Sequence, residues 1–299
     1  MDQDIFSRLE TSFEEAFLSG QVTRCFWVNG CRQTQRLTQM DMAAPMLMFP
    51  IVGQKTATVG DQVYHTSPGE MLLLPAAVRF DLANIPTVGE NRFLGASLVF
   101  DALTIDLFRK AYSDAAQGWP LASKWKINGS DEVYSLIADW LAHDRAYHVD
   151  IAQTRHRLAE ILLILARQGV AGNLLQPRAQ TVRDQLTQRL MTDLSRDWSA
   201  SDLAAALAMS ESTLRRRLRE EQTGFRQLLE DARLNQGVER VISSDMPIGQ
   251  IALECGYQSQ SRFAERFRLR FSMSPTELRS SQRQRSGDIV ALETHRAGI

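Results

Sequence analysis

One aromatic spacing constrains the fold of this chain more than any other feature. In the segment CGYQSQSRFAERFRLRF, which starts at Cys255, Phe263, Phe267 and Phe271 recur every fourth residue. Residues at i, i+4 and i+8 share one face of an α-helix. The intervening Ala264, Glu265, Arg266, Arg268 and Arg270 are expected to turn mostly away from that face. A helix of this kind is either an ordinary solvated helix or one that lies against phosphate.

The rest of the C-terminal sequence favours the second reading, because the pattern occurs twice. WSASDLAAALAMSESTLRRRLREE starts at Trp198 and predicts a short Ala-rich helix over Asp202 to Ala208 and a turn at Met209-Ser210. A second helix follows, with Ser210 as N-cap and Thr213 three residues on. That helix places Leu214 and Leu218 inward and Arg215, Arg216 and Arg219 outward. In PIGQIALECGYQSQSRFAERFRLRF, Pro247 suits a first helical turn. Gly256 suits a left-handed helix end. The second helix starts near Ser259 or Gln260, and Phe263 and Phe267 replace the leucines. Ten positions separate Ala204 from Leu214 and eleven separate Ala252 from Phe263, so the units are near repeats. Each has the layout of a helix-turn-helix. Between them, Phe225 to about Ser243 reads as one continuous amphipathic helix that fixes their separation.

On these residues, the region from about Thr181 to Arg279 resembles the DNA-binding domain of the AraC/XylS family of bacterial transcription regulators. The matching segments are IALECGYQSQSRFAERFRLRFSMSPTELR, LAAALAMSESTLRRRLRE and Arg233 of the connecting helix. GEMLLLP, Gly69 to Pro75, resembles a strand of the cupin-like sensory domains in that family. The layout is similar to members that regulate virulence or stress genes, some of which bind fatty acids in that domain. Two positions depart from the pattern. Gln222 and Ser272 stand where the family commonly has Gly, so each asks a non-Gly residue to end a helix, at about 1 kcal/mol if the backbone stays left-handed.

The N-terminal half has a different character. From about Val22 to Phe100, MLMFPIVG, KTATVGDQVYH, EMLLLP and FLGASLVF read as short strands between Gly, Pro and Asp turns. Such punctuation suggests a barrel or jelly roll. After Asp101 the period turns helical, in DALTIDLFRKAY, DEVYSLIADWLAH and DIAQTRHRLAEILLILARQG. The last carries a wide stripe of Ile151, Leu158, Ile161, Leu162 and Leu165. It either packs on its own barrel or forms a helix–helix dimer contact. GVAGNLLQPRAQ then breaks the helical pattern with Gly, Asn and Pro. The expected organisation is an α+β chain: a cupin-like sensory or dimerisation domain over 1–170, a linker over 171–181, an all-α domain with two helix-turn-helix units over 182–280, and a flexible tail over 281–299.

Charge follows the same division. Residues 182–285 hold 17 basic against 14 acidic side chains, and every basic one is Arg; residues 1–181 hold 16 against 19. Arg suits forked contacts with phosphate and guanine. The three unclustered cysteines fit reduced thiols. With no signal-peptide stretch and no membrane-length apolar run, a cytoplasmic location is expected. The five histidines (His65, His143, His148, His156 and His295) lack the HxH-plus-Glu pattern of metal-binding cupins, so no metal is expected. No nucleophile elbow, phosphate loop or carboxylate pair appears, and neither a cofactor nor catalysis is expected.

Ser212, Arg215, Arg216 and Arg219 in the first unit are candidate DNA contacts, as are Gln260, Ser261, Arg262 and Glu265 in the second. Arg266 and Arg268 are assigned to phosphate contacts or salt bridges. Arg217 packs or pairs with Glu221. Pro275 and Thr276 start a last helix whose amides could face phosphate. Met46, Met48, Leu72, Leu73 and Leu74 either line an acyl pocket or form plain core. Leu158, Ile161, Leu162 and Leu165 are the candidate dimer helix.

The function expected is promoter-specific transcription regulation, as an activator. Its partners would be double-stranded DNA, RNA polymerase, a small-molecule effector and a second copy of the chain. A cupin-type metalloenzyme with a helical extension, and a regulator controlled only by a protein partner, are the alternatives.

Overall fold

The computed structural model describes residues 2–283 apart from 20–21, 24, 43, 90, 114–117, 148 and 177–180. Helix α1 (Gln3–Ser19) leads into nine strands. These are β1 (Val22–Thr23), β2 (Phe26–Cys31), β3 (Gln35–Met42), β4 (Met46–Val52), β5 (Gln54–Val59), β6 (Gln62–Thr66), β7 (Glu70–Leu74), β8 (Val78–Ile85) and β9 (Phe93–Val99). Helix α2 (Ala102–Tyr112), the short β10 (Lys126–Asn128), α3 (Asp131–Tyr147), α4 (Ile151–Arg167) and α5 (Gly172–Leu175) follow. The remainder is helical: α6 (Val182–Leu190), α7 (Ala200–Ala206), α8 (Glu211–Glu220), α9 (Phe225–Ser243), α10 (Ile248–Glu254), α11 (Gln260–Phe271) and α12 (Pro275–Arg283).

The strands form two antiparallel sheets, ordered β1-β2-β9-β4-β7-β10 and β3-β8-β5-β6. Side chains alternate across a strand, so a sheet covered on both faces needs unbroken apolar runs. MLMFPIV and EMLLL are such runs. Leu47, Phe49, Ile51, Met71 and Leu73 pack on one side, with α1, α3 and α4. Met46, Met48, Leu72 and Leu74 pack on the other, inside the barrel. The sheets and the helical C-terminal part are those expected of a cupin-like barrel joined to an all-α domain. Among the described residues, no helix is long and apolar enough to cross a membrane.

Three expectations change. Leu158, Ile161, Leu162 and Leu165 are completely buried in the barrel domain's own core, so the α4 stripe is not a free dimer surface. A 17-residue helix laid across a sheet needs a wide apolar face merely to cover it. The segment expected to start the linker is instead the buried helix α5. There Asn173 donates from its amide to the carbonyls of Leu73 and Lys124, both at 2.9 Å. Residues 281–283, expected in the tail, continue α12. Linker residues 177–180, the tail from 284 with His295, and His148 lie outside the described residues.

Leu162→Ala is expected to destabilise the protein by about 2–5 kcal/mol through the cavity it leaves. Urea unfolding would measure this, and gel filtration of the same variant should show an unchanged oligomeric state.

Candidate nucleic-acid interface

Local chemistry builds both helix-turn-helix units. In the first, Ser199 and Asp202 form a reciprocal capping box on α7. Ala208 takes a left-handed turn at φ 50°, and Ser210 caps α8 by accepting from Thr213 N–H. In the second, Gly256 turns at φ 78° and Ser259 caps α11. A Cβ on Gly256 would also stand 2.3 Å from the Leu194 carbonyl. Arg233 of α9 closes this corner, donating to the carbonyls of Leu194 and Arg196 at 3.0 and 3.2 Å. Gln222 and Ser272 both hold left-handed backbones, at φ 54° and 61°, as the two departures from the Gly pattern imply.

Burial then decides which face is presented. Leu214 and Leu218 pack into the first unit's core with Leu186, Leu203 and Leu228. Phe263, Phe267 and Phe271 are fully buried, stacked edge-to-face with Tyr257 at centroid separations of 5.3, 5.4 and 4.7 Å. Gly237 on α9 lets this ladder approach, since a Cβ there would lie 2.7 Å from the Phe263 ring.

The opposite faces carry the candidate contacts. Ser212, Arg215, Arg216 and Arg219 are all exposed, as are Gln260, Ser261, Arg262 and Glu265. Arg215 pairs with Glu211, and Arg216 with Glu220 at 2.8 Å, each one helical turn away. Such exposed pairs contribute little to stability. The Ser212 hydroxyl lies 3.0 Å from that of Ser210.

Other arginines are engaged within the protein, Arg266 in the salt bridge that was one of its two expected roles. Arg266 forks onto both oxygens of Glu230, which ties α11 to α9 and leaves the guanidinium engaged. Of the two roles expected of Arg217, the pair with Glu221 is replaced: the Glu221 carboxylate accepts from Val182 and Arg183 N–H and so caps α6. Arg270 points inward, only 8% exposed. Its guanidinium donates to Gln39 Oε1 at 2.5 Å and lies 3.4 Å from Asp231, which Arg79 also meets at 3.1 Å. Burial pushes the Arg270 guanidinium below its ordinary range. Thr38 Oγ1 donates to the Arg270 carbonyl at 3.0 Å, so the end of α11 docks on β3. The N-terminus of α12 is partly engaged by its own cap, in which Ser274 Oγ accepts from Glu277 N–H.

Beneath this docking surface is a cavity of about 240 Å³. The barrel contributes Trp27, Met46, Met48 and Phe80; α6 and α9 contribute Thr187 and Leu228. Met46 and Met48 reach the cavity wall. Leu72 and Leu74 sit behind it as core, and Leu73 faces the other side of the sheet. The half contributed by α6 and α9 has no signal in the local pattern. Among the described residues, no group of three or more metal-ligating side chains occurs.

Two helix-turn-helix units held by one connecting helix, behind a double-sheet barrel, define a class: barrel proteins with a double helix-turn-helix domain. A helix-turn-helix family model matches residues 203–281. The chain is 34% identical over 121 residues to the transcriptional regulator GadX of Escherichia coli K12, covering 40% of this chain and 43% of that one. It is 27% identical over 232 residues to the transcriptional regulator YdeO of Shigella flexneri, covering 76% and 87%. Unsaturated fatty acid-bound ToxT from Vibrio cholerae shares the fold, with a TM-score of 0.65 at 14% identity over 87% of this chain and 96% of that one. Over residues 203–281 the chain carries this helix-turn-helix domain, and the relatives it resembles are transcriptional regulators. Its match spans 43% of the length of the GadX relative.

Gln222→Gly is expected to raise stability by about 1 kcal/mol by relieving the left-handed non-Gly backbone. Thermal unfolding of the variant against the parent measures it.

Proposed function

We propose that the protein is a cytoplasmic, promoter-specific transcription regulator that activates its targets, and not an enzyme. One observation carries this reading: the faces of α8 and α11 opposite the buried leucines and phenylalanines stay exposed and carry Arg, Gln, Ser and Glu. These are the side chains that pair with base edges and phosphates. Helix α9 has 19 residues, about 28 Å at the α-helical rise, comparable with the roughly 34 Å between successive major grooves. An activator implies RNA polymerase as a further partner. Any homodimer would use a surface other than the α4 stripe.

The cavity is the proposed effector site. It touches the barrel and two helices of the DNA-binding half, so a ligand there would favour one arrangement of the two over another. Trp27 lines it, and the buried indole N–H of that residue has no acceptor among the described residues. An amphiphile with an acceptor group and an apolar body suits these walls. The fatty acid bound by ToxT is one such molecule, and it extends to this chain as a proposal.

Genome-wide occupancy mapping should reveal binding sites with two short elements about one helical turn apart. Against such a site, Arg216→Ala is expected to lose about 1–3 kcal/mol and to relax preference at one base. A mobility-shift titration with unchanged affinity and preference removes Arg216 from the interface. Native mass spectrometry of protein purified from cells should show a bound small molecule, and Met48→Trp, which fills the cavity, should abolish it.

A further inference from the structure

A row of polar side chains crosses the four-stranded sheet on its inner face. Gln35 on β3, Asn84 on β8, Lys55 on β5 and Thr66 on β6 are register partners in turn. None is more than 3% exposed. Such a row inside an apolar barrel costs stability unless its groups satisfy one another. Lys55 Nζ donates to Asn84 Oδ1 at 2.8 Å, and Asn84 Nδ2 donates to Gln35 Oε1 at 2.8 Å. Gln35 Nε2 donates to Ser281 Oγ at 2.9 Å, and Ser281 Oγ donates to the Leu278 carbonyl at 2.7 Å. Ser281 and Leu278 lie on α12. The chain of donors therefore starts deep in the barrel and ends on the last helix of the DNA-binding half.

The direction of every bond follows from the first donor. An ammonium has three donors and no acceptor, so Asn84 can show it only oxygen. That choice turns the Asn84 nitrogen toward Gln35 and the Gln35 nitrogen toward Ser281. A neutral amine has a lone pair and accepts as well as donates, so both amides become free to reverse. With Gln35 reversed, Ser281 would have to give up Leu278 in order to donate back. We propose that Lys55, Asn84, Gln35 and Ser281 form a proton-gated latch: protonated Lys55 aligns the amides and holds α12 on the barrel, and its deprotonation loosens that contact.

The surroundings place the titration in an accessible range. Burial pushes the Lys55 ammonium down from 10.5 to about 7. Cys31 on β2 is the titratable group acting on it, and burial pushes that thiol up to about 11, so it is neutral where Lys55 titrates. From β9 the uncharged ring of Phe93 lies 5.2 Å from Nζ. Thr66 on β6 and Asn84 on β8 do not titrate, and His65 faces the opposite side of the sheet, where it meets Thr56. Because the folded value lies below the unfolded one, the unfolded chain holds the extra proton between about pH 7 and 10. Global stability therefore rises with pH across that window. The latch runs the other way: it is aligned below about pH 7, where the folded protein carries the charge.

The inference concerns the barrel-to-helix contact alone and stands or falls independently of DNA binding. Only Lys55, Lys110, Lys124 and Lys126 are lysines, so the full chain with 13Cε-labelled lysine gives four signals. One is expected to titrate near 7 and to vanish in Lys55→Met. Hydrogen exchange of α12 amides in the parent, divided by that in Ser281→Ala at the same pH, cancels the intrinsic pH dependence. Protection is expected to be about threefold to tenfold higher in the parent near pH 6 and about equal near pH 8.5. In Lys55→Met the same ratio should stay near one at both. If that variant fails to fold, the parent titration and the Ser281→Ala ratio still decide. A Lys55 signal titrating near 10 with the other lysines, or a protection ratio equal at both pH values, overturns the latch.

Discussion

The seating of α11 through its phenylalanine ladder is the interaction on which the rest depends. Burying Phe263, Phe267 and Phe271 removes one complete side of that helix from water, a contribution of about 2–3 kcal/mol for each ring. A helix so anchored cannot rotate, so Gln260, Ser261, Arg262 and Glu265 are presented outward by necessity. The ladder also fixes the approach of α11 to α9, through the missing Cβ of Gly237. Leu214 and Leu218 do the same for α8 with less apolar area and no ring stacking. The two exposed faces are thus a consequence of packing, and the arginines between the anchors take whatever positions the packing leaves.

The same packing joins the halves. Phe263 and its neighbours on α9 and α10 belong to one apolar cluster with Met46, Met48 and Phe80 of the barrel. Around it lie polar ties: Arg270 with Gln39 and Asp231, Arg79 with Asp231, and Gln35 with Ser281. Buried charges of this kind add little net stability, because desolvation offsets their attraction, but they are intolerant of a displaced partner. A cavity wall and a charge cluster that share α9 and β3 give a ligand or a proton a physical route to the relative placement of the two halves. Either can shift that placement only by its difference in affinity for the two arrangements.

Much of the DNA-binding half was legible because its signals are local. Caps act within three residues, so Ser210 could be placed from spacing alone and the start of α11 narrowed to Ser259 or Gln260. Left-handed helix ends are similarly local, and Gln222 and Ser272 adopt them despite carrying side chains. The barrel strands were legible as apolar runs between turns. Helix α1 was not identified, although Leu9, Phe13 and Ala16 recur at helical spacing and are fully buried. Its many acidic residues mask that stripe. The short β10 and α5 carry too few residues for a period to show.

Long-range partners lay outside what pattern could reach. Arg270 belongs to the same arginine-rich run as Arg266 and Arg268, yet it alone turns inward, because β3 brings Gln39 beneath it. Arg266 finds Glu230 thirty-six positions away. Lys55 reads as one polar residue of a hairpin strand, and only sheet register sets it beside Asn84 and Gln35. The sequence by itself determined the elements, their caps and the apolar faces that must be buried, since helix and strand periods are written along the chain. Only the tertiary structure decided which polar groups meet, where the cavity lies and how the halves dock, because those depend on contacts between segments that share no local pattern.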